Sequence, residues 1–556
     1  MPSFDHLTLE NRELLDAVHR RDHVLRDAPE KLLVPLFPRC TVRILLVADG
    51  GLTFGSADFG LRTLVKTLQG GSTLTTRFLV SIAHRAAPGG DAMLPGDATI
   101  ANRVTGFRFD DAADFPAGAY DQVWLFGIDS FGDLPDSELR ALAQFMDDGG
   151  GVFATGDHAA LGKRLCGKVP RVRSMRHWDS FDNPDEVSMS GPRRNDTNRR
   201  GHDLASTFDD QSDDIPQKIQ WTPYSTRVGI FEAVYPHPLL CGPKGVIDVM
   251  PDHPHEGECR TPDDLDLDVT FDGQTFTEYP AAVDGGARPE PEVISTSTVL
   301  PGTTSSGKAA TEGHSFGGIC AYDGHRAGVG RVVTDATWHH FININLVGDS
   351  GAAFPKNVGF LASAAGQDHL DAIKTYYRNI ATWISRPSLI RCMRRRWLWW
   401  LVAHSRAIES VATASRVDLR EAHVSLLFGI GKHARDVLGR STSSCQSLRI
   451  VLDLIAPHLP TLVRRFDPWD PGPKRPPRGP DPVPWFDPTR YVDIVLGGAV
   501  VAMYERLSEA SPEEIESGKL DEVMDEALAE GARVALEAAR RSAAEAMDEL
   551  KALGDR

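Results

Sequence analysis

Short apolar runs recur along the first 340 residues of the chain, and four of the five lead into an acidic residue. They occupy residues 42–48, 77–83, 122–128, 151–156 and 330–334. Runs of this length and composition are typical of buried parallel strands. Apolar residues at helical spacing predict helices over 57–69, 136–146 and 369–385. Alternating strands and helices predict an α/β fold, with a parallel sheet and right-handed crossovers.

The same pattern divides the chain into five parts. We expect a short helical segment at residues 1–40, before the α/β domain, and the α/β domain itself at 41–387. Within that domain, about 170–300 are rich in Asp, Asn, Pro and Gly and predict an insertion of long loops and short strands. Beyond it we expect a helical domain at 388–465, a proline-rich linker at 466–488 and C-terminal helices at 489–556.

Polar residues follow the predicted strands directly. Asp49-Gly50-Gly51 follows the first strand, Asp129 follows 122–128, and Asp335 with Trp338 follows the last. Ligands of open α/β sheets bind outside the carboxyl ends of the strands. We therefore expect one site at this rim, with Asp49, Gly50, Gly51, Asp129 and Trp338 binding the substrate.

The strongest local signal is the segment 149–162, where a glycine-rich strand ends in Asp157-His158 and small residues follow. This is typical of a sharp strand-to-helix turn that exposes one side chain. His158 is expected to act as general base or metal ligand, with Asp157 and Asp335 as orienting catalytic carboxylates. The alternative is that Asp157 only caps a helix.

A second cluster offers metal ligands. Asp252, His253, His255 and Glu256 lie within five positions, and His339 follows the last strand. Carboxylates with imidazoles suit zinc, manganese or iron. The alternatives are a solvated acidic loop and, for His339 or His340, a buried histidine bonded to backbone. No Gly-x-Gly-x-x-Gly or Walker pattern occurs after the first strand, so we expect no nucleotide cofactor.

Charge and cysteine usage narrow the function classes. The net charge is −17, which argues against nucleic acid as a partner. The seven cysteines are scattered and form no Cys-x-x-Cys pair, so we expect neither a disulfide framework nor a zinc ribbon. With no signal pattern at the N-terminus and no apolar run of about 20 residues, a soluble cytoplasmic protein is expected.

Three motifs together resemble a known family. They are the glycine-rich strand 149–160, the His-Pro motif 237–242 followed by Asp252, and the Gly-x-Gly-Arg-Val strand 328–333 trailed by His339 or His340. Over about 41–385 the chain is similar to the ThuA-like (trehalose-utilisation) group of the class I glutamine amidotransferase-like superfamily. The resemblance implies a flavodoxin-like sheet with helices on both faces, and a carbohydrate-like substrate. The superfamily's amidotransferases carry Cys where this chain has Asp157-His158, so glutamine hydrolysis is not expected.

Two functional hypotheses follow. The first is a hydrolase-type enzyme that acts on a small polar substrate, assisted by a divalent metal or by His158. The second is a non-catalytic amidotransferase-like binding or assembly protein that uses 388–556 to form a homo-oligomer or hold a protein partner. The basic and aromatic stretch 390–402 suggests a membrane-surface or partner-docking helix, but a core helix with outward-reaching arginines is favoured over both.

Overall fold

The computed structural model describes most of the α/β domain and the main C-terminal helices. The described residues are 39–71, 75–88, 90–128, 132–157, 160–178, 217–228, 231–251, 257–299, 314–351, 353–354, 356–403, 419–441, 444–455, 467–469, 488–509 and 520–554. The predicted lead-in, up to residue 38, and most of the proline-rich linker lie outside them.

Seventeen strands occur in the described residues. They are β1 (Cys40–Ala48), β2 (Thr76–His84), β3 (Arg103–Thr105), β4 (Gln122–Phe126), β5 (Gly151–Thr155), β6 (Arg176–His177), β7 (Gln217–Lys218), β8 (Gln220–Trp221), β9 (Tyr224–Val228), β10 (Phe231–Tyr235), β11 (Val249–Met250), β12 (Glu258–Cys259), β13 (Asp268–Phe271), β14 (Gln274–Thr277), β15 (Glu292–Val299), β16 (His314–Tyr322) and β17 (Val332–Asp335).

The described α-helices surround the sheet and form the C-terminal part. They are α1 (Arg62–Gly70), α2 (Asp136–Asp147), α3 (Lys163–Cys166), α4 (Asn343–Val347), α5 (Ala364–Trp383), α6 (Pro387–Ala403), α7 (Val424–Ser441), α8 (Ser444–Ile455), α9 (Pro488–Glu509) and α10 (Leu520–Gly554). Below, α6–α10 are called the helical region.

The main sheet has eleven strands in the described part of the chain. Its principal order is β3-β2-β1-β4-β5-β17-β16-β12-β6, with β15 and β8 branching from β16. The six strands from β3 to β17 are parallel, and those beyond β17 are antiparallel. The order 2-1-4-5-17 is the flavodoxin-like order of a doubly wound sheet. The α/β prediction, with a parallel sheet and a helical C-terminal part, is confirmed.

Helices cover both faces of the parallel half. Side chains alternate along β1, so Ile44 and Leu46 join the core under α1 and α5, whereas Leu45 and Val47 join the core over α2. Both sets are fully buried. A strand buried on both faces needs a continuous apolar run, which explains the pattern read from the sequence.

The parallel register aligns the carboxyl ends of neighbouring strands. Ala48 pairs with Phe126, Phe126 with Thr155, and Thr155 with Asp335. The residues that follow these positions therefore share one edge of the sheet, called the rim below. Polar residues that directly follow four separate predicted strands had predicted this shared edge, and the register of the strands confirms it.

Two predicted elements differ in extent. The helix expected over 57–69 begins only at Arg62, because the preceding loop folds back and Thr53 bridges Gly60. The insertion is more ordered than expected, since β6, β8, β12 and β15 join the main sheet. All but β15 have just two residues, too few to show an alternating pattern.

The expectation of a chain without disulfides is wrong. Cys40, the first residue of β1, is bonded to Cys392 in α6, and Cys241 is also disulfide-bonded. The first pair is separated by 352 residues, so no local spacing could reveal it. The expectation of a cytoplasmic protein depended in part on free cysteines and loses that support.

The helical region has a core of its own. Glycines allow its helices to approach closely: Gly498 in α9 lies against the Gly531 backbone in α10, and Gly497 lies against the Leu427 backbone in α7. The aromatic face of 390–402 packs inward, with Trp397 and Trp400 against this core and Arg395 paired with Asp525. No helix in the described residues combines the length and apolar character needed to cross a membrane.

Candidate functional site

The turn after β5 is built by close glycine contacts. A Cβ on Gly127 would lie 2.4 Å from the Gly162 Cα, and one on Gly156 would lie 2.4 Å from the Leu161 oxygen. Gly162 has φ +92°, which favours glycine, and it is the residue that caps α3. The chain can therefore reverse tightly beside Asp157. The alternative assignment of Asp157 as the cap of this helix is wrong.

Asp157 meets the turn after β17 through Thr337 and His339. Its Oδ1 accepts a hydrogen bond from Thr337 Oγ1 at 2.9 Å, and its Oδ2 lies 3.6 Å from His339 Nε2. Asp157 is fully buried, and His339 is nearly so. The predicted proximity of 157 and the 335–340 turn is confirmed.

The His339 ring is oriented from its other side. Its Nδ1 lies 2.8 Å from Asn345 Oδ1, and its backbone N–H donates to Thr337 Oγ1 at 3.0 Å. Because the Asn345 oxygen can only accept, Nδ1 carries the proton in this arrangement. The Nε2 atom is then turned toward Asp157.

Asp335 forms a second carboxylate–imidazole pair with the neighbouring histidine. His340 Nδ1 lies 2.8 Å from Asp335 Oδ1, and Tyr376 Oη donates to Asp335 Oδ2 at 2.8 Å. All three side chains are buried. Burial raises the pKa of the Tyr376 phenol well above its usual range, so it remains a donor. The adjacent histidines thus face different carboxylates.

The Arg176 side chain connects the carboxyl ends of β5 and β17. Its guanidinium donates to the backbone oxygens of Asp157 at 2.8 Å, Ala336 at 2.7 Å, Asp335 at 3.2 Å and His177 at 3.0 Å. The side chain is buried and stacks on Trp178. Burial lowers its pKa, while nearby acidic groups, Asp157 and Asp335 among them, oppose that effect. The guanidinium therefore fixes how β5 and β17 end.

The residues after β1 have mainly structural contacts. Asp49 is buried and its Oδ1 accepts the Ile128 N–H at 2.7 Å, which ties the ends of β1 and β4 together. Gly50 has φ +54°, and a side chain on Gly51 would meet open space. His84 braces the same loop by donating from Nε2 to Leu52 O, and burial lowers its pKa.

Trp338 covers the pair formed by Asp157 and His339. Its ring stacks on His339 at 4.1 Å between centroids and meets Phe59 edge-on at 5.7 Å. The indole Nε1–H is buried and has no hydrogen-bond partner within the described residues. A buried donor left in this way offers a contact to an acceptor atom of a ligand.

Several predicted site residues cannot be placed. His158, Asp129, Asp252, His253, His255 and Glu256 lie outside the described residues. Within the residues that are described, no group of three or more His, Cys, Asp or Glu side chains converges as a metal site. The predicted ligand His339 has Asp157 as its carboxylate neighbour.

Other contributors to the site were missed by sequence reasoning. They are Thr337, Asn345, Tyr376 and Arg176; His340 had been weighed only as an alternative to His339. Tyr376 was assigned to the apolar stripe of its helix, and nothing in the sequence around Arg176 distinguishes it from surface arginines. Thr337 lies two residues before His339, so the turn itself was its only signal.

The His-Pro motif lies at the opposite edge of the sheet. His237 caps the short 3-10 helix Pro238–Leu240 through Nδ1 and packs on Trp383 at 5.2 Å. Arg331, just before the amino end of β17, stacks on the other side of this cluster. Burial, aided by the Arg331 charge, lowers the pKa of His237 to about 3. It is a structural histidine remote from the rim.

Comparison with known proteins gives one distant similarity. The structure is similar to the crystal structure of a ThuA-like protein from Parabacteroides merdae, with 14% sequence identity and a TM-score of 0.23, over 60% of this chain and 88% of that one. No family model and no curated protein matches the chain. A similarity at this level gives no assignment of family or function.

Proposed function

We propose that this protein is a hydrolase-type enzyme whose reaction centre is the Asp157–His339 pair. Its substrate is a small polar molecule bound at the rim. Asp335, placed among the catalytic residues on sequence grounds, is assigned instead to holding His340 and the turn. The proposal rests on the geometry of one pair of atoms, His339 Nε2 and Asp157 Oδ2.

These two atoms face each other at 3.6 Å, which is too long for a hydrogen bond. With Nδ1 donating to Asn345, the Nε2 atom of His339 is turned toward a carboxylate oxygen. Nε2 can take a proton from a water molecule, or both atoms can bind one metal ion, and each corresponds to a known way of activating water.

In the proton version, His339 is the general base. It removes a proton from water at Nε2, and the Asp157 charge stabilises the imidazolium that forms. Thr337 keeps the carboxylate in place through Oδ1. In Ser-His-Asp hydrolases the carboxylate lies at Nδ1 of the base, whereas here Asn345 lies at Nδ1 and the carboxylate lies at Nε2.

In the metal version, His339 Nε2 and Asp157 Oδ2, which lie 3.6 Å apart, would hold one divalent ion together. The ion would lower the pKa of a water bound to it. Asn345 and Thr337 then act as the outer partners that orient ligands. Zinc, manganese and iron all accept this donor set.

The test compares metal content and turnover in matched variants. Wild-type protein, His339→Gln, Asp157→Asn and the exposed control His433→Gln are assayed on chromogenic esters, phosphates and glycosides, with and without Zn²⁺ or Mn²⁺. We expect wild type and control to turn over one class, and both site variants to lose about 100-fold or more. Absence of turnover in wild type under every condition, or equal turnover in all four, would overturn the proposal.

The alternative function, a binding or assembly protein, has one observation in its favour. The end of α10 exposes Met547, Leu550 and Leu553 along one side, with exposed fractions of 59%, 68% and 68%. Such stripes occur where a helix meets a partner. Sedimentation of wild type and a triple Ser variant distinguishes the cases: a single monomeric species in both removes support for self-assembly through α10.

A further inference from the structure

The Cys40–Cys392 disulfide joins the two parts of the molecule at the edge of the sheet opposite the rim. Cys40 begins β1, and Cys392 lies in the second turn of α6, with Cα atoms 6.0 Å apart. Ala48, at the other end of β1, is about 26 Å away at the usual rise per residue. The bond is therefore remote from the Asp157–His339 pair.

Helix α6 belongs to both cores. Its first half places Leu389, Ile390 and Met393 against the core of the α/β domain, and Leu401 near its end is buried in the core of the helical region. The disulfide is located in the first half. It therefore fixes to β1 the helix from which the rest of the helical region continues.

A second tether lies on the same side. Trp469 Nε1 donates to Pro236 O at 2.9 Å, and the Trp469 ring packs on Tyr235. Cys241, five residues beyond Pro236, is disulfide-bonded as well. Trp469 thus adds a polar contact between the insertion and the C-terminal part of the chain.

We infer that the protein matures under oxidising conditions, and that the Cys40–Cys392 bond is what locks the helical region onto the amino-terminal edge of the sheet. This inference does not depend on the proposed reaction. Stable disulfides of this kind form and persist in oxidising compartments, whereas reducing compartments keep cysteines in the free thiol form.

The chemistry of bond formation is thiol–disulfide exchange. One thiolate of the pair attacks a disulfide oxidant, RSSR, and releases one RSH; the second thiolate then displaces the other RS group, which leaves as RSH. The two cysteines lose two protons and two electrons, and both end on the two RSH molecules. The oxidant is a small-molecule disulfide or a disulfide-carrying protein.

Three other cysteines serve as internal controls. Cys166, Cys259 and Cys320 are buried free thiols. Burial raises the pKa of Cys259 to about 12 and raises those of Cys166 and Cys320 well above the usual range. With almost no thiolate they do not exchange, so oxidation is selective.

The loop closed by this bond is long, since 352 residues separate its ends. Closing a long loop removes many conformations of the unfolded chain, so the native state gains stability relative to it. Reduction is therefore expected to lower Tm by about 5 °C or more. It should also speed amide exchange in α6 by about tenfold, with the rim strands unaffected.

The experiment uses the full chain equilibrated with oxidised glutathione. Denaturation with iodoacetamide, followed by non-reducing peptide mapping, should yield linked Cys40 and Cys392 peptides, and alkylated Cys166, Cys259 and Cys320. Melting and amide exchange are compared for wild type and Cys40→Ser/Cys392→Ser, and for wild type before and after reduction in case the variant does not fold. Alkylated Cys40 and Cys392, or a Tm and α6 exchange rate unchanged by losing the bond, would overturn the inference.

Discussion

Thr337 donates its hydroxyl hydrogen to Asp157 across 180 residues of sequence, at 2.9 Å. The same oxygen accepts the backbone N–H of His339 at 3.0 Å. One hydroxyl group therefore places both members of the Asp157–His339 pair. It also joins the turns after β5 and β17, which the sheet register brings side by side.

Replacing Thr337 with Val tests this link. The change keeps the shape of the buried side chain and removes the hydroxyl group. A buried carboxylate then lacks a donor, so we expect the free energy of unfolding to fall by about 2–3 kcal/mol. Urea unfolding monitored by tryptophan fluorescence measures it. Thr337→Ser keeps the hydroxyl and should lose less than half as much; equal losses in the two variants would contradict the assignment.

Arg176 is expected to be among the costliest residues to remove. Arg176→Met keeps a long side chain over Trp178 but leaves four backbone oxygens without their donor. We expect a loss of about 3–5 kcal/mol in urea unfolding. The control Arg108→Met removes an exposed pair with Asp110 and should leave the urea midpoint nearly unchanged. If Arg176→Met changed the stability as little as the control does, the guanidinium would not be what holds the strand ends together.

The neighbouring tyrosines of α5 offer a matched comparison. Tyr376 donates to the Asp335 carboxylate, whereas Tyr377 donates to the backbone oxygen of His340. A hydrogen bond to a charged group contributes about twice as much as one to a neutral group. Tyr376→Phe should therefore destabilise the protein by about 2 kcal/mol and Tyr377→Phe by about 1 kcal/mol. The reverse order in urea unfolding would contradict the assignment of the Asp335 contact as the stronger of the two.

His237 should make stability fall as the pH falls. Burial lowers its pKa to about 3, below the value of about 6.5 in the unfolded chain, so protons bind preferentially to the unfolded state. Its contribution is constant above pH 6.5 and is lost progressively toward pH 3. At pH 5 the loss is about 2 kcal/mol.

His237→Asn isolates this effect. An Asn oxygen can accept the Leu239 N–H that His237 Nδ1 accepts, but it does not titrate. His325, whose pKa burial also lowers to about 3, titrates in both proteins and cancels in the comparison. Urea unfolding at pH 7 and pH 5 should show a smaller decrease in the variant. The same decrease in both proteins would mean that His237 is not buried in its neutral form.

The sequence predicted the parts of the molecule that local pattern controls. Residues 42–48 and 151–156 are buried on both faces, so each shows an apolar run, and the acids that follow mark the rim. Arg176 and Asn345 could not be found in this way. Their roles come from contacts with Asp157 and His339 made by tertiary packing, and an arginine bonded to carbonyls resembles any other arginine in sequence.

The same limit explains the disulfide. Cys40 and Cys392 are brought together because α6 packs against the start of β1, and their spacing carries no information about this contact. The adjacent His339 and His340 are an intermediate case. Their position after β17 predicted a site, and each histidine faces a different carboxylate in the structure. Only the turn geometry shows which one faces Asp157.

The proposed reaction centre requires His339 to be held with Nδ1 protonated and Nε2 turned toward Asp157. Two-bond ¹⁵N–¹H NMR of histidine-labelled protein tests this arrangement, with the His339 signals assigned by their loss in His339→Gln. We expect a protonated Nδ1, and an Nε2 that is protonated as well or shifts when Zn²⁺ is added. A neutral ring with the proton on Nε2 and none on Nδ1, unchanged by Zn²⁺, would contradict it.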